Sequence, residues 1–332
     1  MSSSRVVLAL LGPLALACGL ARPGGAQPNR SFRAPAPRGG HALTFDETNK
    51  VTLLFGGAGE VFFRDLFRDL WSWDGRRWTR LANTGPGPRE DALLAHDSAR
   101  GRTVMFGGRG FEGRLLTDTW EWDGALWRRM SLAGPEGRIH ASGAFDPVVG
   151  RLRVYGGFAE DGHVLDDTWE WDGSSWTRVA ELGASPGLAA NGMAFDRARR
   201  RTLLSVFDLQ AQNPDGTFDA GLWEWSGDRW QVLEVTGPRY RPVQDMTARA
   251  AGGVLLLDPG DPQAGSSTWT WDRHAWALAA SLGPTPRFGH GLATDFARER
   301  VVLFGGFQGT VALDDTWEWN GSKWTRVAAG SL

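Results

Sequence analysis

Six copies of one tryptophan spacing run through this chain: a Trp, a second two residues on, and a third five residues after that, starting at Trp71, Trp120, Trp169, Trp223, Trp269 and Trp317. These copies account for all 18 tryptophans. In Trp169-Glu170-Trp171 a period of two puts both rings on one face of a strand and the polar residue on the other, as Glu121, Glu224 and Glu318 do in their copies. Asp74-Gly75, Asp123-Gly124, Asp172-Gly173 and Asn320-Gly321 follow. Such pairs supply the positive φ of a tight hairpin, so the third Trp opens a partner strand.

The first tryptophans lie 49, 49, 54, 46 and 48 residues apart, and a period of about fifty marks a repeat architecture rather than one wound domain. Each period reads as four strands. In the first, Arg38 and His41 precede an apolar run to Phe45, Asp46 to Lys50 form a polar turn, and Val51 to Phe55 make a strand ending at Gly56-Gly57. A loop then leads to Asp69-Leu70-Trp71 and Trp78, and Gly85-Pro86 closes the unit. The pattern predicts an all-β chain of four-stranded antiparallel meanders over about 38–86, 89–135, 138–184, 188–237, 241–284 and 287–328.

Repeats two, three and six copy the first closely, with Gly107-Gly108, Gly156-Gly157 and Gly305-Gly306 ending a strand and Asp118, Asp167 and Asp315 two residues before the Trp. An apolar strand ending in Gly-Gly, a variable loop, an aromatic strand and a further Trp: in this the chain resembles the kelch repeat family over residues 38–328. The resemblance implies a six-bladed β-propeller of four-stranded antiparallel blades around a central channel. Packing points the same way, because a lone meander cannot bury both faces whereas stacked blades bury the tryptophans between them.

Repeats four and five depart from the pattern. Asp208 and Asp258-Pro259 stand where the Gly pair belongs, Gly221 and Ser267 replace the Asp, and Leu188 replaces the leading Arg of the fourth. The Gly pair and the Asp are therefore kept together or lost together, which predicts a local bond in which the carboxylate caps backbone amides beside the glycines. How the ring closes stays open, since all six repeats are complete in one frame.

Residues 1–26 read as an export signal, with Arg5 ahead of an apolar stretch from Val6 to Ala17. That stretch is too short to span a membrane. Cys18, the only cysteine, has two readings: the acylated first residue of a lipoprotein, with Ala15 where a lipobox usually has Leu, or part of a discarded signal. Residues 27–37 form a Gly/Pro-rich linker, so the chain is expected to be exported, and secreted, periplasmic or surface-anchored, with no transmembrane segment in its mature form.

A net charge of -2 and a pI of about 6.3 speak against nucleic acid as a partner. In an up-down blade the segment before the first strand and the loop after the second share one end of the ring. That end collects Arg38, His41, Arg89, Arg138, His140, Tyr240, Arg241, Arg287 and His290, with loop residues Arg64, Arg109, Arg114 and His163. One reading is a cationic, histidine-containing mouth for an anionic or polyhydroxylated ligand. The other is that the leading Arg, recurring at five equivalent positions, holds blade to blade. Tyr240 and Arg241, with Arg287 and His290 of the sixth repeat, are the ligand-facing sector expected beside the two aberrant repeats.

No metal site is expected, because the six histidines lack a short ligand spacing and each turn Asp stands without an oxygen ladder. No cofactor is expected either. The kelch family includes a copper oxidase of galactose that needs a Tyr–Cys cross-link and further Tyr and His ligands, and with only Tyr155, Tyr240 and Cys18 that activity is excluded. The function expected is a binding or interaction module for a protein or carbohydrate ligand. The alternatives are a sugar-modifying enzyme, suggested by the sialic acid epimerase among exported kelch propellers, and a structural cell-envelope protein.

Overall fold

The computed structural model describes residues 34–59, 65–131, 134–180, 188–214, 217–219, 221–233, 237–240, 245–261, 265–272 and 274–328. Residues 1–33, with Cys18 and the export signal expected there, and Arg64 and Arg241 lie outside these residues.

Six antiparallel four-stranded sheets follow one another along the chain as a β-propeller. Blade 1 comprises β1 (Ala42–Asp46), β2 (Val51–Phe55), β3 (Leu70–Trp73) and β4 (Trp78–Ala82). Blade 2 comprises β5 (Leu93–Asp97), β6 (Arg102–Phe106), β7 (Thr119–Trp122) and β8 (Trp127–Ser131). Blade 3 comprises β9 (Ser142–Asp146), β10 (Arg151–Phe158), β11 (Val164–Trp171) and β12 (Trp176–Ala180). In the fourth repeat, β13 (Ala189–Asp196) and β14 (Arg201–Phe207) are followed by a two-residue β15 (Phe218–Asp219), then β16 (Gly221–Trp225) and β17 (Trp230–Leu233). Outside that blade, β15 pairs with another short strand, β18 (Arg239–Tyr240). Blade 5 comprises β19 (Asp245–Ala248), β20 (Val254–Asp261), β21 (Gly265–Trp271) and β22 (Trp276–Ala280). Blade 6 comprises β23 (Gly291–Asp295), β24 (Arg300–Gln308), β25 (Val311–Trp319) and β26 (Trp324–Ala328). A single 3₁₀ turn at Phe111–Gly113 is the helical structure among the described residues.

The first strand of each blade lies against the first strands of both neighbours, in the circuit β1, β5, β9, β13, β19, β23 and back to β1. These strands surround the axis, and the fourth strands form the rim. One end of the ring, here the lower, carries the turns between first and second strands. The upper end carries the segments entering each blade and the loops after each second strand.

The tryptophan faces build the core, which is divided among the seams between blades. Trp122 packs with Leu53, Phe55 and Leu70 of the preceding blade, Trp171 with Ala95 and Val104, and Trp319 with Leu255 and Leu257. Every Trp is buried or half-buried. The second and third Trp of a copy face each other in register, as in Trp73 with Trp78 and Trp171 with Trp176, with ring centroids 5.5 and 5.4 Å apart. Four residues lie between them, so the hairpin is longer than the two-residue turn that Asp-Gly suggests. The Asp caps this loop instead: Asp172 Oδ1 accepts the Ser174 and Ser175 amides at 2.8 Å, and the positive φ falls on Gly173 alone.

The seams are pinned by indole hydrogen bonds. Trp176, Trp230 and Trp324 Nε1 donate to Thr119, Thr168 and Thr268 of the preceding blade at 2.8, 3.0 and 2.8 Å. Blades 1 and 4 carry Leu70 and Leu222 where the others have Thr, and the indole nitrogens of the blades that follow them, Trp127 and Trp276, are buried without a hydrogen-bond partner among the described residues.

The ring closes by the means used at the three seams that keep the Thr. Trp78 Nε1 donates to Thr316 at 3.0 Å, Trp73 Nε1 to Glu318 at 2.9 Å, and Leu54, Trp71, Trp73 and Trp78 pack with Val302 and Phe304. No strand is exchanged between blades 1 and 6.

Candidate functional site at the upper mouth

Four of the leading arginines are structural members of their blades. Arg38 Nη1 donates to Gly56 O at 2.9 Å and to Asp69 Oδ1 at 2.6 Å, while Nη2 donates to Asp69 Oδ2 at 3.1 Å. The same fork joins Arg89 to Gly107 and Asp118, Arg138 to Gly156 and Asp167, and Arg287 to Gly305 and Asp315. These guanidiniums are 0, 2, 1 and 4 % exposed, so they support the mouth from behind rather than face it. Burial alone would raise the four carboxyls, but the guanidinium hydrogen bonds and charge hold them below the usual carboxylate range. Each Asp also accepts its own strand's indole, as Trp169 donates to Asp167 Oδ2 at 2.6 Å.

The predicted link between the Gly pair and the Asp therefore exists, but an arginine carries it, bonded to both the Gly carbonyl and the Asp carboxylate. The glycines serve the seam. Gly57 N donates to Arg89 O at 2.8 Å and Gly306 N to Arg38 O at 2.8 Å, and a Cβ on Gly56 would stand 2.5 Å from Arg89 O.

His41 and His290 lie in the structure's interior, each 6 % exposed. The His41 ring meets Phe304 of blade 6 edge-on at 5.3 Å. Burial, with Arg38 and His290 adding to it, holds His41 well below its usual value, and burial with Arg287 lowers His290 to about 3. Both rings are neutral and recessed from the mouth.

The remaining predicted residues divide. Arg114 is exposed, His163 bonds Asp161 of its own loop, and Tyr240 lies in β18, whose backbone pairs Tyr240 with Phe218 at the upper end. His140 is exposed and joins a group that the sequence reading did not single out. Its Nε2 lies 3.7 Å from Asp91 Oδ2, and Asp91 Oδ2 lies 3.8 Å from Arg109 Nη2. Arg109 Nε donates to Glu90 Oε1 at 2.9 Å. Backbone geometry assembles the cluster: Glu90 and Arg109 exchange N–H···O bonds at 3.0 and 2.9 Å, and Asp91 N donates to Gly40 O at 2.7 Å. Asp91 and His140, with φ of 51° and 54°, take the left-handed conformation that Gly40 and Gly289 take at the equivalent places, φ 63° and 62°. A Cβ at Gly40 would stand 3.1 Å from Asp91 Oδ1, so this glycine leaves the carboxylate uncovered.

Burial and the adjacent Asp91 carboxylate push Glu90 up to about 8, against the pull of Arg109. Glu90 is 6 % exposed and backs the cluster from within, while the Asp91 carboxyl, the Arg109 guanidinium and the His140 imidazole stand in front of it. The sequence did hold a signal for it: Glu90-Asp91 stands where the other near-copies carry Gly39-Gly40, Ile139-His140 and Phe288-Gly289. Two adjacent carboxyls occur at this position in no other near-copy, so the repeat geometry does not require them.

No family model matches the chain, and no curated protein matches it. Among solved structures the chain is similar to the structure of YjhT, with a TM-score of 0.65 and 15% identity, covering 89% of this chain and 98% of that one. At that identity the likeness is one of fold.

Proposed function

We propose that this chain is an exported, kelch-like propeller that acts as a binding module for a polyhydroxylated ligand, a glycan, at the upper mouth of its ring. The observation that carries the reading is the Glu90, Asp91, Arg109 and His140 cluster. The Asp91 carboxyl oxygens accept, and the Arg109 guanidinium donates to vicinal oxygens, a mixture suited to hydroxyl groups that both give and take hydrogen bonds. Arg287 and His290 support the ring from within blade 6. A glycan screen followed by calorimetry tests this: Asp91→Asn should weaken binding at least tenfold while the melting temperature holds. Unchanged affinity in that variant would remove the cluster from the site.

A second reading, a sugar-modifying enzyme of the sialic acid epimerase kind, draws on one feature. Burial and the Asp91 carboxylate push Glu90 up to about 8, and a carboxyl raised in this way beside a second carboxyl is what acid–base chemistry on a sugar requires. Turnover that Glu90→Gln abolishes with binding intact marks an enzyme; binding without turnover marks a module.

A further inference from the structure

The lower end of the ring holds a second constellation. Each first strand but that of blade 5 ends in a turn Asp that is locked to the backbone: Asp97 Oδ1 accepts the Ala99 and Arg100 amides at 3.0 Å, and Asp295 Oδ1 accepts Ala297 and Arg298 at 3.0 and 2.9 Å. The residue after that Asp is free of the turn's needs, and it varies: Glu47, Ser98, Pro147, Arg197 and Phe296. Arginines three places after the Asp turn into the seams, Arg100 to Asp97 and Glu121 at 2.6 Å each, and Arg298 to Asp295 and Glu318 at 2.6 and 2.7 Å.

Arg197 does something else. It comes from blade 4 and pairs with Glu47 of blade 1, three blades away and so across the diameter of a six-bladed ring, while its guanidinium carbon lies 3.5 Å from the centroid of Phe296 of blade 6. The pair itself lines an open cleft of about 330 Å³ whose walls also include Ser98, Pro147, Val148, Phe195 and Arg200. That volume falls in the range of small-molecule sites. Side chains of Arg197 and Glu47 are 38 and 32 % exposed, and a water-exposed ion pair contributes little to stability. The ring therefore does not depend on it, and an incoming anion can replace Glu47 at small cost.

We propose that the lower mouth is a second binding site, for a small organic oxyanion with an apolar body, and that Glu47 occupies the anion's place on Arg197 when the site is empty. The guanidinium fork matches a carboxylate or a phosphate monoester through two parallel N–H···O bonds. Ser98 supplies a hydroxyl, Arg200 a second cation, and Pro147, Val148 and Phe195 an apolar wall; Val148 is 47 % exposed and open to such a body. A clamp that merely tied the ring together would need neither the cleft nor the exposure.

Calorimetry and saturation-transfer NMR with benzoate, phenyl phosphate and uncharged benzyl alcohol test the proposal. The wild-type chain should bind one of the anions at least tenfold more tightly than the alcohol, and the tighter anion distinguishes carboxylate from phosphate. Arg197→Lys, which keeps the charge and loses the fork, should weaken binding at least tenfold. Glu47→Gln should tighten it about two- to fivefold, the change expected when a competing exposed ion pair is released. Melting curves without ligand report that each variant is folded. Equal binding of benzoate and benzyl alcohol, or an affinity indifferent to Glu47→Gln, overturns the proposal.

Discussion

Replacing Asp167 by Ala probes the device that repeats in four blades. Asp167 accepts two bonds from Arg138, at 2.6 and 3.0 Å, and one from Trp169 at 2.6 Å. The substitution leaves Arg138, 1 % exposed, charged and without its counterion. Breaking a buried pair from one side costs about 3–5 kcal/mol, which at roughly 2.1 cal/mol/K per residue over the ring lowers Tm by about 5–8 °C. In blade 5 the equivalent Ser267 is uncharged, accepting from Trp269 at 3.0 Å and donating to Asp258 at 3.4 Å, so Ser267→Ala strands no buried guanidinium and should cost about 0.5–1.5 kcal/mol. Replacing both charges, Arg138→Met with Asp167→Ala, should recover much of the loss because no buried charge then remains. Urea unfolding of the three variants checks the series. Equal losses at Asp167 and Ser267, or a double variant as unstable as the sum of its parts, would refute the argument.

Thr316→Val keeps the shape of the side chain but orphans Trp78 Nε1 at the closing seam, and should cost about 1–3 kcal/mol. Thr119→Val at the seam between blades 2 and 3 should cost the same in chemical denaturation, since both seams use one bond. His41 and His290 are neutral when folded and take up protons near their usual 6.5 when unfolded. Stability should therefore fall as pH drops below about 6.5, by at most about 1.4 kcal/mol per pH unit per proton, and His41→Leu with His290→Leu should flatten the fall. Glu90 has the opposite sign: the folded state holds its proton up to about 8 while the unfolded chain releases it near 4.5, so stability falls as pH rises through that window, and Glu90→Gln should remove the slope. Deleting one whole repeat should abolish soluble monomer in size-exclusion chromatography, because a ring missing a blade cannot close.

The tryptophan spacing made the blades legible because a period of two and a period of about fifty leave few alternatives. The Arg, Gly pair and Asp of each repeat were legible as a set but not as a bond: their repetition says that they belong together, and only the fold shows that Arg138 bridges Asp167 and Gly156. The same repetition drew attention to residues such as Arg38 and His41, which turn inward, and away from Glu90 and Asp91, which occur once. Spatial partners from different blades, as in Asp91 with His140 or Glu47 with Arg197, have no sequence spacing that announces them. Ring closure was hidden for the opposite reason: it reuses the Trp–Thr bond of three other seams, so the ends of the domain carry no distinguishing mark.

Hydrogen–deuterium exchange with a bound saccharide tests most directly whether the upper mouth is the ligand site. Amides of Glu90, Asp91, Arg109 and His140 should gain protection on binding, while the lower turns at residues 97–100 and 295–298 stay unchanged. Protection confined to the lower turns or to the outer strands, with the amides of the cluster unaffected, would contradict the account.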